Sequence, residues 1–286
     1  MFTGAGSGIG RVIGLLFARE GCSAVVTEID IDGGVEAVQE VNGQVGVAKF
    51  LRVNASDPSD VQTMFDSAES EYAGLDVVIN HAEAGGHCAL PLERIGDTTP
   101  AAFVAGVLGE VLPAFLGTTR SAVAAFRRRG VGAIVNTASS SSFQATSGLL
   151  IHDVGKAAML QLTRTTAIDY ENENIRANCI GPGPTLVGKD PRDIVSWTSD
   201  PDQTIQQRMT TIPMRRPSAT IEQSERAFCL ASDEASYITD NALPIDGELL
   251  AWSHNPKEYA ETQGWRNAGQ QTLLDLARLD IGGVRR

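Results

Sequence analysis

The first residues suited to chemistry are glycines. Thr3-Gly4-Ala5-Gly6-Ser7-Gly8-Ile9-Gly10 sets Gly4, Gly8 and Gly10 in a T-G-x-x-x-G-x-G spacing, and an amphipathic run follows from Arg11 to Glu20. Such a loop turns tightly off a strand, brings bare backbone against a pyrophosphate and enters a helix whose N-terminus faces the anion. A second set of groups can move protons. His81, Glu83, His87, Cys88, Glu110 and His152 supply imidazole, carboxyl and thiol groups, and imidazole titrates near neutrality, where general acid–base catalysis operates. Their spacing matches no metal-ligand motif, so no metal is expected.

These groups need a scaffold, and strand and helix signals alternate to about residue 248. Ser23–Ile29, Val47–Val53, Asp76–Asn80, Gly132–Ala138, Arg176–Ile180 and Ala242–Ile245 read as strands. Helices are expected over Gly34–Val41, after the cap Asp57-Pro58-Ser59-Asp60, and over Pro100–Arg129, Val154–Glu171 and Ile221–Ala231. The alternation predicts an α/β fold, a Rossmann-like doubly wound parallel sheet. Its first strand is largely missing from the N-terminus: only Met1 and Phe2 precede Thr3, where a strand of about five or six residues is the norm. Truncation is the expected reason. Ligands of such a sheet bind at the carboxyl ends of its strands, where Glu28, Asn54, Asn80 to Glu83, Ser139 and Pro182-Gly183 all fall.

Composition narrows the function. A chain of 286 residues, 42% hydrophobic and 20% charged, suits one domain over residues 1–250 with an extension over 251–286. That extension carries Leu273, Leu276 and Leu279 at helical spacing and is expected to be helical. The net charge of −12 argues against nucleic acid and anionic membrane as partners. No apolar run is expected to approach the roughly 20 residues that span a bilayer, and no secretory leader is expected at the start. Cys22, Cys88, Cys179 and Cys229 are scattered without a C-x-x-C pair, so reduced thiols and a cytoplasmic setting are expected.

Taken together, these residues resemble the short-chain dehydrogenase/reductase family over about residues 3–248. Thr3 to Gly10 match the cofactor loop, and Gly132-Ala-Ile-Val-Asn-Thr-Ala-Ser139 the strand that carries a catalytic serine. Lys156 stands at the active-site lysine. Ile175-Arg-Ala-Asn178 with Pro182-Gly183-Pro184 resembles the strand and loop that hold the nicotinamide, and Leu230 to Thr239 with Asp246-Gly247 the closing segment. The resemblance implies NAD(P) bound by Gly4, Ser7, Gly8, Ile9, Gly10, Glu28, Asn54, Ala55, Asn80, Ala82, Lys156, Pro182, Gly183 and Thr185. Glu28, closing the second strand, can accept from both ribose hydroxyls and repels a 2′-phosphate, so NAD is the expected cofactor. Arg11, just past the loop, is the one residue there that suits a phosphate.

The catalytic set departs from the family's Asn, Ser, Tyr and Lys. Ser139 and Lys156 match, the tyrosine position holds His152, and the asparagine position holds Glu110. The family's N-N-A-G reads Asn80-His81-Ala82-Glu83, which puts a charged side chain where glycine lets backbone approach the cofactor. The expected function is interconversion of a secondary alcohol and a ketone with NAD(H), with Ser139, His152, Lys156 and Glu110 as the catalytic group. Lys156 is expected to keep the His152 imidazole neutral and able to accept a proton. Two alternatives stay open: a non-redox enzyme on the same scaffold (dehydration, isomerisation or carbon–carbon cleavage), and a non-catalytic nucleotide-binding homologue. The segment from Thr185 to about Arg216, with Trp197, Met209 and Met214, suits a mid-sized alcohol or ketone, and the resemblance implies a homodimer or homotetramer.

Overall fold

A computed structural model describes residues 1–44, 46–72, 74–83, 94–188 and 212–251, and of Glu110 the backbone only. His87, Cys88, Trp197, Met209 and the expected helical extension lie outside the described residues. The chain runs β1 (Phe2–Thr3), α1 (Gly8–Arg19), β2 (Ser23–Glu28), α2 (Ile31–Gln44), β3 (Val47–Arg52), α3 (Pro58–Tyr72) and β4 (Val77–Asn80). It continues through the long helix α4 (Pro100–Arg129), β5 (Gly132–Thr137), α5 (Leu150–Tyr170) and β6 (Ile175–Pro182). Short strands β7 (Thr185–Leu186) and β8 (Ser218–Ala219), then α6 (Thr220–Ala231) and β9 (Ala242–Ile245), complete it.

Seven strands form one parallel sheet in the order β3-β2-β1-β4-β5-β6-β9, and β7 pairs with β8 in a two-stranded sheet of its own. The order reverses between β1 and β4, the switch point where doubly wound sheets bind ligands. Strands buried on both faces read as continuous apolar runs rather than alternating ones. Ala24, Val25 and Val26 in β2 and Ala133, Ile134 and Val135 in β5 are all buried. On one side of the sheet Phe17 of α1 stacks edge-on against Phe2 and against Phe228 of α6, each at 4.9 Å between centroids. On the other, Met64 and Phe65 of α3 pack with Phe126 of α4 and Ile134.

The two-residue β1 is fully used. It pairs with β2 through Phe2↔Val26 and Thr3↔Thr27 and with β4 through Phe2↔Ile79, while the Met1 amine donates to the Val77 carbonyl at 2.8 Å.

The α3 cap forms as its sequence predicts: Asp57 Oδ1 accepts the Ser59 and Asp60 amides at 2.8 and 3.2 Å. Helix α4 starts at a Thr99 cap with Pro100 in its first turn and ends at Gly130 with φ 81°. Its middle, Val104–Val111, is π-helical, a feature that local patterning does not announce. Here α4 presses against α5: a Cβ on Gly106 would lie 2.8 Å from Ile151, and one on Gly155 2.8 Å from Val111. By length and composition this 30-residue helix is apolar enough to cross a bilayer, with a window of mean hydropathy 1.7, which corrects the expectation that no apolar run approaches that length. Phe115, Thr118, Ala122 and Phe126 are buried, whereas Val104, Leu108 and Leu116 are exposed.

Candidate active site

The glycine loop is a cradle that side chains would fill. Gly4 and Gly8 have φ of +65° and +53°, the region glycine enters without strain. A Cβ on Gly4 would lie 2.7 Å from the Ala82 backbone, and one on Gly10 2.2 Å from the Gly4 carbonyl. Ser7 precedes α1 in extended conformation and makes no side-chain cap, which leaves that helix end to ligands or solvent. Glu28 Oε2 accepts the Gly6 amide at 3.2 Å, and Oε1 accepts the Ile29 amide at 2.7 Å. The strand-end carboxylate is thereby fixed beside the loop. These residues fit a dinucleotide: tight bare backbone, a helix N-terminus and an acidic group for a ribose. Arg11 faces away from that task, its guanidinium taken by Glu40 at 2.9 Å and Glu36 at 3.3 Å across α2.

Other positions expected to hold the cofactor behave differently. Asn80 lies in the core. Its amide donates to Asn136 Oδ1 at 2.9 Å and to Thr119 at 3.3 Å, and Asn136 in turn donates to Thr163 at 2.8 Å. That buried ladder ties β4 and β5 to α4 and α5 through the Asn80 amide nitrogen, while its Oδ1 is buried without a partner among the described residues. Asn54 is exposed, with its Oδ1 capping the Ser56 amide, and Ala55 follows in the same turn. The Thr185 hydroxyl is spent on the Gly183 carbonyl at 2.9 Å and on Ser218 at 2.8 Å. Gly183 allows close approach, since a Cβ there would lie 2.6 Å from Asp246. Val187 reaches the glycine loop, 3.5 Å from where a Gly8 Cβ would stand.

The proton-transfer groups converge at the carboxyl ends of β4 and β5. Helix α5 begins at Leu150, four residues before the expected start, and this places His152 and Lys156 one turn apart on one face. Ser139 caps a short 3-10 turn after β5, and its Oγ accepts the Ser141 amide at 3.1 Å. Ser142 anchors this turn to α5 by donating to the Lys156 carbonyl at 2.8 Å. His152 Nε2 lies 3.4 Å from Ser139 Oγ, and Nδ1 lies 2.9 Å from Glu83 Oε1. Lys156 Nζ donates to the Thr137 carbonyl at 2.9 Å and sits 3.4 Å from Glu83 Oε2. The side chains of Glu83, His152 and Lys156 are 8%, 5% and 3% exposed.

The Glu83 carboxylate can only accept while ionised, so the short contact at Nδ1 calls for a ring proton there. Ser139 Oγ accepts the Ser141 N–H and keeps both its own proton and a second lone pair, so it can serve Nε2 as donor or acceptor. Thr3 builds this arrangement from below. Its Oγ1 accepts the His81 and Ala82 amides at 3.0 and 3.1 Å, clasping the backbone that presents Glu83. The group facing His152 Nδ1 is therefore a carboxylate, whereas Lys156 was the expected neighbour. His81 turns to Thr137 Oγ1 at 3.2 Å.

Sequence reading counted Glu83 among the acid–base groups and as an intrusion near the cofactor, without making it a partner of His152. Thr3 as a clasp and the Thr137 carbonyl as a lysine acceptor had no sequence signal beyond their place at strand ends. Glu110 lies in the π-helical segment of α4, and its side chain is outside the described residues.

Known proteins of similar sequence and shape agree with this architecture. A family model described as enoyl-(acyl carrier protein) reductase matches residues 4–248. The 2,5-dichloro-2,5-cyclohexadiene-1,4-diol dehydrogenase of Sphingobium indicum is 32% identical over 87% of this chain and 95% of its own. A cyclopentanol dehydrogenase of Comamonas testosteroni is 27% identical over 88% and 96%. The L-sorbose reductase of Gluconobacter frateurii, solved with NADPH and L-sorbose, superposes with a TM-score of 0.79 at 28% identity, covering 88% of this chain and 96% of that one. A 7α-hydroxysteroid dehydrogenase solved with NADH gives 0.76 at 27% identity, covering 86% and 91%. With the glycine cradle, the Ser139 and Lys156 positions and the strand order all in agreement, this chain belongs to the short-chain dehydrogenase/reductase family of oxidoreductases.

Proposed function

We propose that the protein interconverts a secondary alcohol and a ketone with NAD(H), using His152 as the proton acceptor and donor. The observation that carries this reading is the meeting of His152 Nε2 and Ser139 Oγ at 3.4 Å, beside buried Lys156. An alcohol oxygen held by Ser139 would give its proton to Nε2, and in the reverse direction the imidazolium returns it to the ketone oxygen. The nicotinamide, when bound, supplies or accepts the hydride. Gly4, Ser7, Gly8, Ile9 and Gly10 would hold the pyrophosphate, and Pro182-Gly183 lies at the nicotinamide end by the family pattern. Lys156 has three N–H donors. Two serve Thr137 and Glu83, which leaves one for a ribose hydroxyl.

Preference for NAD rests on two groups. Glu28 is fixed beside the loop, where its charge opposes a 2′-phosphate, and Arg11 is neutralised by Glu36 and Glu40. The substrate class is a small to mid-sized secondary alcohol, in keeping with relatives named for cyclopentanol and a cyclohexadiene diol. The exposed Val104, Leu108 and Leu116 on α4 support a homodimer or homotetramer, and the reading places the enzyme in the cytoplasm.

Isothermal titration with NAD and NADP, followed by a screen of cyclic and linear secondary alcohols, tests the proposal. Micromolar NAD binding with weaker NADP binding and His152-dependent turnover is the expected result. A folded sample that binds neither nucleotide would overturn it in favour of the non-redox alternative, and one that binds NAD but oxidises no alcohol would overturn it in favour of the non-catalytic nucleotide-binding homologue.

A further inference from the structure

Two departures from the family pattern, Glu83 in place of glycine and His152 in place of tyrosine, touch each other at 2.9 Å. We propose that Glu83 is the positioning residue of this active site: it holds His152 in the Nδ1–H form, aims Nε2 at Ser139 and offsets the charge that appears when Nε2 takes a proton. The proposal rests on the reading of His152 as the acid–base group.

The argument is one of donors, acceptors and charges. Which imidazole nitrogen carries the proton is set by the hydrogen bond the other nitrogen makes, and a carboxylate on one side of a histidine is the usual device for fixing tautomer and ring orientation. Glu83 Oε1 occupies that place. Its second oxygen, Oε2, faces Lys156 Nζ at 3.4 Å. His152 and Lys156 stand one turn apart on α5, so a protonated imidazole and the ammonium would be like charges at i and i+4, an unfavourable pair. The carboxylate bridges them. Proton uptake at Nε2 then takes the local charge from zero (Glu83 negative, Lys156 positive) to a single positive charge, with no buried cation left unpaired. The proton acquired by Nε2 comes from the alcohol hydroxyl and returns to solvent or to the ketone oxygen. No bond to Glu83 forms or breaks.

The backbone makes this placement firm. Thr3 Oγ1 clasps the His81 and Ala82 amides, and Ala82 lies against Gly4, so Glu83 leaves β4 from a fixed point. The carboxylate that a glycine-based motif would exclude is thereby held 8% exposed between two cations or near-cations of α5.

The test is nitrogen-15 NMR of the His152 ring, with its signals assigned by their loss in His152→Asn, alongside steady-state kinetics of NAD-linked alcohol oxidation. The wild type is expected to show a protonated Nδ1 and a bare Nε2 in the neutral ring. Glu83→Ala is expected to move the proton to Nε2 and lower kcat about 100-fold, the scale of a misdirected acid–base group, with KM for the alcohol within about twofold. Glu83→Gln keeps an acceptor for Nδ1–H without the charge, so the tautomer stays and kcat falls about tenfold. An unchanged tautomer in Glu83→Ala overturns the proposal. Should Glu83→Ala fail to fold, unchanged kcat in the isosteric Glu83→Gln overturns it instead. Should the wild type oxidise no alcohol, the function reading falls, and the tautomer measurement alone decides the role of Glu83.

Discussion

Glu83 and His152 are 69 residues apart in the chain and 2.9 Å apart in space, with the carboxylate set against imidazole Nδ1. Their contact makes them a coupled pair in physical terms. A tyrosine at position 152 would take the Nδ1–H donor away from the Glu83 carboxylate, in a neighbourhood where both side chains are under 10% exposed. His152→Tyr alone is therefore expected to oxidise alcohol more slowly than the double variant His152→Tyr/Glu83→Gly, which also removes the carboxylate. Steady-state kinetics on the four proteins of this cycle measure the coupling, expected to exceed about 1 kcal/mol for groups in direct contact. Additive effects would show that the two residues act separately.

Glu28 makes a prediction about cofactor choice. Its carboxylate accepts the Gly6 and Ile29 amides and so holds a negative charge beside the glycine loop. Glu28→Ala is expected to weaken NAD binding and narrow the ratio of NAD to NADP affinity by about tenfold, the worth of one charge-assisted contact of about 1.4 kcal/mol. An additional Arg11-dependent gain is not expected, because Glu36 and Glu40 hold that guanidinium. Titration of the variant with both nucleotides checks this, and an unaltered ratio would remove Glu28 from the ribose site.

Local pattern carried most of the scaffold. Strand β9 matches its expected residues, Ala242–Ile245, and α4 its expected span, Pro100–Arg129, because apolar runs and a proline start are written in neighbouring residues. The start of α5 was placed too late: His152 and Asp153 interrupt an apolar reading, yet Leu150 and Ile151 already belong to the first turn. The site was legible as a set of positions and illegible as a network. Nothing in the Asn80–Glu83 segment or around His152 says that they meet. Asn80, assigned to the cofactor, turned inward because Asn136 and Thr119 offer its amide partners from β5 and α4. Contacts of that kind exist only once the sheet is assembled, and hydrophobic periodicity has no term for them.

Arg216 and Glu222 predict a pH dependence of stability. The guanidinium grips the carboxylate with two bonds of 2.7 Å at the start of α6, and Glu222 Oε2 also accepts the Ala219 amide at 2.8 Å. The hydrogen bond from Arg216 holds the Glu222 carboxyl below its ordinary range of about 4.5. A carboxylate depressed on folding contributes stability that is full above the unfolded value and is lost as pH falls through the folded one. The advantage of the wild type over Glu222→Gln in thermal midpoint is expected to be present at pH 7 and to shrink below about pH 4.5. The pair is partly exposed, so added salt should also reduce it. A gap between the two proteins that does not change with pH would mean that packing, rather than charge, sets the contribution.

Cys179 separates from the other described thiols by burial. It lies in the middle of β6, wholly buried with Met159 and Phe115, and burial pushes its thiol up to about 11. Only the thiolate reacts with disulfide and alkylating reagents, so at pH 8 both access and ionisation protect this residue. Cys22 and Cys229 are half-buried and should react first. Alkylation of the native protein at pH 8, mapped by mass spectrometry, is expected to modify Cys22 and Cys229 over hours and leave Cys179 intact until denaturant is added. Modification of Cys179 at the same rate as Cys22 would mean that β6 opens far more often than a central strand should.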